Sequence, residues 1–458
     1  LPAGSGGWAE WAIVSALLHT IEYGQTPEER EEELNRFWGI SGALGALVDM
    51  ARCGSSIEVQ ELAALALASF AVLDHHDAKL DNESAAAVVA LQGTRVLLEL
   101  ASSPHEGVQV EAAKALANLS IDPTVAASVA REGGIRILTH LACSPNGAVA
   151  EEVAGALWNI SVGEAHKKAI AAEGCVQALV QVARRWSGRE YAQERAAGAI
   201  ANLAADDVCS TQVMFKGGLQ LLVDLARHST HDGVLEQAAR ALGNLAAHGD
   251  VNGCMALLGR EEGALAALVG LTSANGEGVR QEAAGALWNL AFDDHNREAI
   301  AAGGGLRALV ALVRASTTSD SVHLRERAAG ALWGLSVSEA NSQAIGRLGG
   351  IPPLIFLAVN SRAVVVHETS VGALWNLAFT PENALTIVEE GGVTPLVGLC
   401  ETSESTIARF MAALALAYIF DTTAPQGQAA AAAALPEGAV KAAGDGAVAG
   451  AGREAETR

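Results

Sequence analysis

A short motif, Ala-Leu-x-Asn-Leu (with Ile for a Leu in two copies), returns along the chain with its Asn at Asn118, Asn159, Asn202, Asn244, Asn289 and Asn376. Gly334 fills the slot in one further copy, and Ser69 and Tyr418 fill it at the two ends, so that successive slots lie 41 to 49 residues apart. Self-similarity at this period constrains the fold more than any other feature. A unit of about 40–47 residues cannot bury its apolar faces alone, and it is too long for the helical repeats of about 33–34 residues. Stacked neighbours must share one core.

Punctuation inside a period shows what the unit contains. In residues 293–337 the pattern predicts helices over 296–302, 306–314 and 324–337, the first two parted by Gly303, Gly304 and Gly305. The second carries Leu306, Leu309, Val310 and Val313 at the i, i+3, i+4, i+7 spacing of one helix face. Gly pairs recur as Gly133-Gly134, Gly217-Gly218, Gly349-Gly350 and Gly391-Gly392, where a sharp helix-to-helix turn needs left-handed backbone. A glycine break between the first two segments argues for three helices per unit, as in armadillo repeats, over the two of a HEAT unit. The expected fold is all-α, a right-handed armadillo-repeat superhelix of about nine units over residues 35–421. Residues 1–34 are expected to hold an amphipathic helix and an acidic linker, and residues 422–458 a disordered Ala/Gly-rich tail.

Half the residues are apolar but aromatics are only 4%, so the core must be Ala, Leu, Val and Ile, and small side chains let helices approach closely. A net charge of −22 speaks against a nucleic-acid partner, which would require a basic footprint. No run of eighteen apolar residues and no signal peptide is read, so no membrane partner is expected. The six cysteines never approach Cys-x-x-Cys spacing and read as free buried thiols of a reducing compartment, nucleus or cytoplasm. No nucleophile motif, phosphate loop or metal-spaced cluster is found. The chain reads as a binding protein, not an enzyme, with no cofactor, and His166, His323 and His367 read as surface positions.

In such a stack the third helices line a concave groove, and three columns of residues follow. The Asn residues form a ladder of amides. Each either holds the main chain of an extended peptide or bonds a carbonyl of the neighbouring repeat and sets the superhelix. Directly before the Asn slot stand Trp158, Trp288, Trp333 and Trp375, each with a Gly three residues earlier: Gly155, Gly285, Gly330 and Gly372. Gly inside a helix costs about 0.5–1 kcal/mol against Ala, so the four notches require a reason. Either the indole fills them against the adjacent repeat, or they stay open for a ligand side chain. Glu194, Glu236, Glu282, Glu326 and Glu368, with Glu151 and Glu152, mark the starts of third helices. They favour the helix dipole and, sharing nearly the Asn face, are expected to make one groove wall acidic.

The run from Glu326 to Ile355 (ERAAGALWGLSVSEANSQAIGRLGGIPPLI) resembles the armadillo region of the plant Arabidillo proteins, as do residues 281–302, 366–393 and 408–421. That family carries an F-box and leucine-rich repeats ahead of the array and is described as nuclear. The resemblance implies a substrate-recruiting subunit of an SCF-type ubiquitin ligase, with the groove on the substrate side. No F-box-like pattern occurs in these residues, so Skp and cullin are expected partners only if an F-box lies upstream of Leu1. The other expectation is a non-ligase adaptor or transport scaffold for basic peptides. Importin alpha, another armadillo family, places its groove Trp four residues before the Asn. Here that slot holds Lys114, Gly155, Gly198, Arg240, Gly285, Gly330 and Gly372, so stacking of lysines on a Trp ladder is not expected.

Overall fold

Six of the repeats bend their first helix into their second through a glycine whose φ lies between 74° and 85°, namely Gly133, Gly174, Gly217, Gly304, Gly349 and Gly391, and Gly263, with φ 82°, precedes the second helix of repeat six. A side chain there would strain the left-handed backbone. In repeat two Gln92 takes the role at φ 58°. The residue after it meets a different demand. A Cβ added to Gly134 would sit 2.5 Å from Val129 Cγ1, and one on Gly218 2.6 Å from the Val213 carbonyl oxygen. The Gly pair thus divides the labour, one residue for the turn and one for close approach. The resulting corners are near-perpendicular: 81° between Asp294–Ala302 and Gly305–Ser316, and 85° between Glu339–Arg347 and Ile351–Asn360.

The computed structural model describes residues 43–54, 56–70, 82–247 and 263–422. The segment 1–34, the tail from 423 and the first helix of repeat one lie outside the described residues. Within them lie helices and turns, and the chain divides into two units at residues 252 and 253. In the first, repeats one to five end in the third helices Ile57–Phe70, Glu106–Leu119, Gly147–Ile160, Glu190–Ala204 and Asp232–Ala247. In the second, repeats six to nine end in Glu277–Leu290, Val322–Leu335, Val364–Ala378 and Thr406–Thr422. Within each unit the most extensive contacts run between consecutive third helices, the geometry of an all-α solenoid. Ala196, Ala197, Ala199, Ile200, Ala201 and Leu203 are fully buried, because a third helix is covered by neighbours before and after it and by its own second helix.

Residues 293–337 fold as Asp294–Ala302, Gly305–Ser316 and Val322–Leu335. The first helix starts earlier than the spacing predicts because Asp293 caps it, accepting from Asn296 N at 2.9 Å. Asp122 and Asp206 cap the first helices of repeats three and five in the same way. Among the described residues no single helix is long and apolar enough to cross a membrane.

Two expectations about single residues are corrected. His367 is half-buried, its Nε2 2.7 Å from the Ser361 carbonyl oxygen, and His166 is half-buried too. The cysteines are not uniformly buried: Cys175 and Cys209 are, Cys400 is half-buried, and Cys53 and Cys143 are exposed. Loss of water around the thiolate pushes Cys175 up to about 11 and Cys209 up to about 12. At pH 8 both remain unreactive thiols. Iodoacetamide labelling of the native protein, read by mass spectrometry, is expected to modify Cys53 and Cys143 at least about tenfold faster than Cys175 and Cys209; equal rates would mean that the repeats open.

Candidate protein-binding face

The Asn side chains are all half-buried on their third helices, and five reach back to the helix before. In the first unit Asn118 Nδ2 donates to the Ala68 carbonyl (2.9 Å), Asn159 to Ala117 (2.7 Å) and Asn244 to Ala201 (2.8 Å). Asn202 donates both to the Trp158 carbonyl (3.3 Å) and to Ser161 Oγ (3.0 Å). Asn376, in the second unit, repeats that double bond with the Trp333 carbonyl (3.2 Å) and Ser336 Oγ (3.1 Å). The amide ladder therefore ties neighbouring repeats together. An amide nitrogen has two hydrogens, so Asn118, Asn159 and Asn244 use one on the neighbour and keep the other on a half-exposed face. Gly334 replaces Asn for a steric reason: a Cβ there would stand 2.9 Å from the Ala291 Cβ.

The indoles do not occupy the notches on their own helices. Trp158 lies against Gly198 of the next repeat. A Cβ on Gly330 would be 2.6 Å from the Trp288 ring, and one on Gly372 2.5 Å from the Trp333 ring. Going the other way, Gly155 faces the side chain of Arg195, and Gly285 that of Arg327. Those arginines end on glutamates one turn before the facing Gly: Arg195 Nη1 to Glu152 at 2.6 Å and Arg327 Nη1 to Glu282 at 2.5 Å. Two successive third helices thus clasp reciprocally, Glu-x-x-Gly-x-x-Trp on one and Arg-x-x-Gly on the next. The arginine half was not among the candidate residues. Its signal was available in the sequence, an Arg three residues before the Gly one repeat later. Trp375 has no such glycine, since Leu414 fills the matching slot, and its ring lies 6.1 Å from Phe379, which in turn meets Tyr418 at 4.0 Å.

The glutamates do align, but as half of a paired seam. Besides Glu152 and Glu282, Glu151 bonds Arg189 at 2.9 Å, Glu194 lies 3.6 Å from His231 and Glu326 3.6 Å from His323. Glu368 accepts from Ser405 Oγ at 2.5 Å, and Glu236 is half-buried in the same register. The expected acidic wall is therefore interrupted at Glu151, Glu152 and Glu282 by arginines from the neighbouring repeat. Among the described residues no group of three or more His, Cys, Asp and Glu side chains is placed to hold a metal ion.

A profile of the Armadillo/beta-catenin-like repeat matches residues 81–121, 125–162, 163–205, 216–247, 257–292 and 338–379, together just over half of the chain. The chain belongs to the armadillo-repeat family. The profile passes over residues 293–337, the copy whose slot holds Gly334. Two Arabidopsis thaliana proteins, Protein ARABIDILLO 2 and Protein ARABIDILLO 1, are 59% identical to it over 118 and 112 residues. These stretches make up 26% and 24% of this chain and 12% and 11% of the relatives, so the match spans about an eighth of their length. The armadillo region is of the Arabidillo type. An engineered protein of known crystal structure superimposes with a TM-score of 0.74 at 29% identity, covering 90% of this chain and 99% of that one.

The clasp predicts opposite outcomes for two glycines. In Gly330→Ala the new methyl meets the rigid Trp288 ring, and overpacking costs about 1–3 kcal/mol, more than the helix gain of about 0.5–1 kcal/mol. In Gly285→Ala it meets only the flexible arm of Arg327, at 3.1 Å. Calorimetry is expected to show a lowered Tm for the first and an unchanged or raised Tm for the second. Equal effects would dissolve the distinction.

Proposed function

We propose that the chain holds an extended segment of a partner protein along the face built by its third helices, as the substrate-recruiting armadillo part of an F-box-type SCF ubiquitin ligase subunit working in the nucleus or cytoplasm. At the coarser level the chain is an armadillo protein-interaction scaffold. The observation that carries the proposal is that, within each unit, half-exposed Asn amides stand on the third helices, five of them held rigid by a bond to the helix before. A ligand's main chain meets donors that do not have to be ordered on binding, which lowers the entropic cost of association. The ligase part draws on the likeness to the ARABIDILLO proteins, and docking on a ligase would be the work of an F-box, a pattern that these residues do not show. The chain's net charge of −22 speaks against a nucleic-acid partner, because it repels phosphate.

Two measurements test it. Affinity-purification of the full natural protein from plant extract is expected to recover a Skp-type adaptor and a cullin with the bound protein; recovery of the bound protein without them removes the ligase role and leaves the scaffold. For the segment so identified, affinity measured from about 0.05 to 0.5 M salt is expected to fall less steeply than an uncompensated acidic wall would require, because paired arginines offset part of the glutamate charge. Full loss of binding at moderate salt would show that charge, not the amide face, holds the partner.

A further inference from the structure

Within each unit a second set of side chains stands just beyond the Asn positions. Three positions after the Asn slot stands an apolar residue that the fold leaves in solvent: Ile121 (47% exposed) and Val162 (67%) in the first unit, Phe292 (69%), Val337 (61%) and Phe379 (48%) in the second. Four of them follow a Trp by four residues, Trp158/Val162, Trp288/Phe292, Trp333/Val337 and Trp375/Phe379, and so lie one turn beyond the indole on the same side. The backbone fixes the position. The N–H groups of Val162 and Phe292 each donate to the carbonyl of the Asn three residues before, at 3.3 Å, closing the helix end so that the side chain stands at the corner. Single exposed apolar residues are ordinary. Large ones in the same slot of three consecutive repeats are not.

We propose that Phe292, Val337 and Phe379 form the docking edge for an extended segment of a partner protein with an apolar residue at every third position and Lys or Arg between. The proposal rests on the scaffold reading above and names the chemistry of its ligand. The extended form follows from spacing. Neighbouring helices pack about 8–10 Å apart, and a polyproline-like segment repeats its side-chain direction every three residues, about 9 Å. A β-strand repeats at about 7 Å. A helical ligand would offer residues seven apart, about 10.5 Å along its axis, which is longer than the spacing of the packed helices. The basic residues follow from charge. The first helix after each edge residue opens with an exposed carboxylate, Asp294, Glu339 or Glu382. Asp294 is bonded to Arg297, whereas among the described residues no ion pair reaches Glu339 or Glu382.

The test uses the full chain and labelled probe peptides read by fluorescence anisotropy. One peptide has four Leu-Lys-Pro triplets, which cannot form a helix, and the other has Ser in place of every Leu. The Leu peptide is expected to bind at least about tenfold tighter, the increment that one well-buried Leu supplies. The double variant Phe292→Ser, Val337→Ser, whose altered side chains face solvent, is expected to abolish that advantage while binding the Ser peptide as before, with an unchanged melting curve. Equal affinities for the two peptides, or an advantage that survives in the variant, overturn the docking edge. Tighter binding of a helical peptide of the same charge, with Leu at every seventh position, overturns the extended ligand. If neither triplet peptide binds, this inference falls, while the scaffold reading stands or falls on partner capture alone.

Discussion

The contact between consecutive third helices governs everything else in each unit. Its buried positions are mostly Ala and Leu, and where a Trp or Arg enters it the facing residue is Gly, so that the helices stay close enough for the Asn amides to reach the carbonyls they bond. Leucines and isoleucines supply the burial, alanines set the distance, and the glycines at Gly198, Gly330 and Gly372 accept an indole against bare backbone. The high Ala content and the near absence of aromatics elsewhere follow from that one distance.

Polar groups then act as register marks on an apolar seam. An Asn amide bonded to a carbonyl one repeat back, and an Arg reaching a Glu one repeat back, can form only when helices are aligned along their axes. Apolar contact alone would tolerate sliding. A half-buried polar pair loses its hydrogen bond on sliding, at a cost of about 0.5–1.5 kcal/mol. On the proposed reading, the groups offered to a ligand are those whose placement the stack already requires.

Much of this was legible beforehand. The period, the three-helix unit and the left-handed glycine turn follow from spacing and from glycine's stereochemistry, and the all-α solenoid is borne out. What stayed hidden were relations between repeats. Gly155 and Trp158 sit three apart on one helix, and helical geometry alone suggests that they meet. They do not, because each faces a different residue of the next repeat, Arg195 and Gly198, some forty positions away in the chain. Likewise a column of glutamates looks acidic until the arginines opposite it are placed. Ion pairing between elements is a property of their relative height, and no single helix contains that information.

The intervals between Asn slots also bear on how such a chain can change over time. They vary from 41 to 49 residues, yet amide bonds recur between successive third helices, so the stack tolerates changes of length outside those helices, where longer connections cost little. One residue inserted inside a third helix would instead rotate everything beyond it by about 100°, turning the indole away from its glycine and the amide away from its carbonyl. Insertions and deletions in this lineage should therefore accumulate between helices or arrive as whole repeats. The spacing from the facing glycine to the Asn slot, as in Gly155 to Asn159, Gly198 to Asn202 and Gly372 to Asn376, is then the one measure that a lengthening or shortening array has to keep.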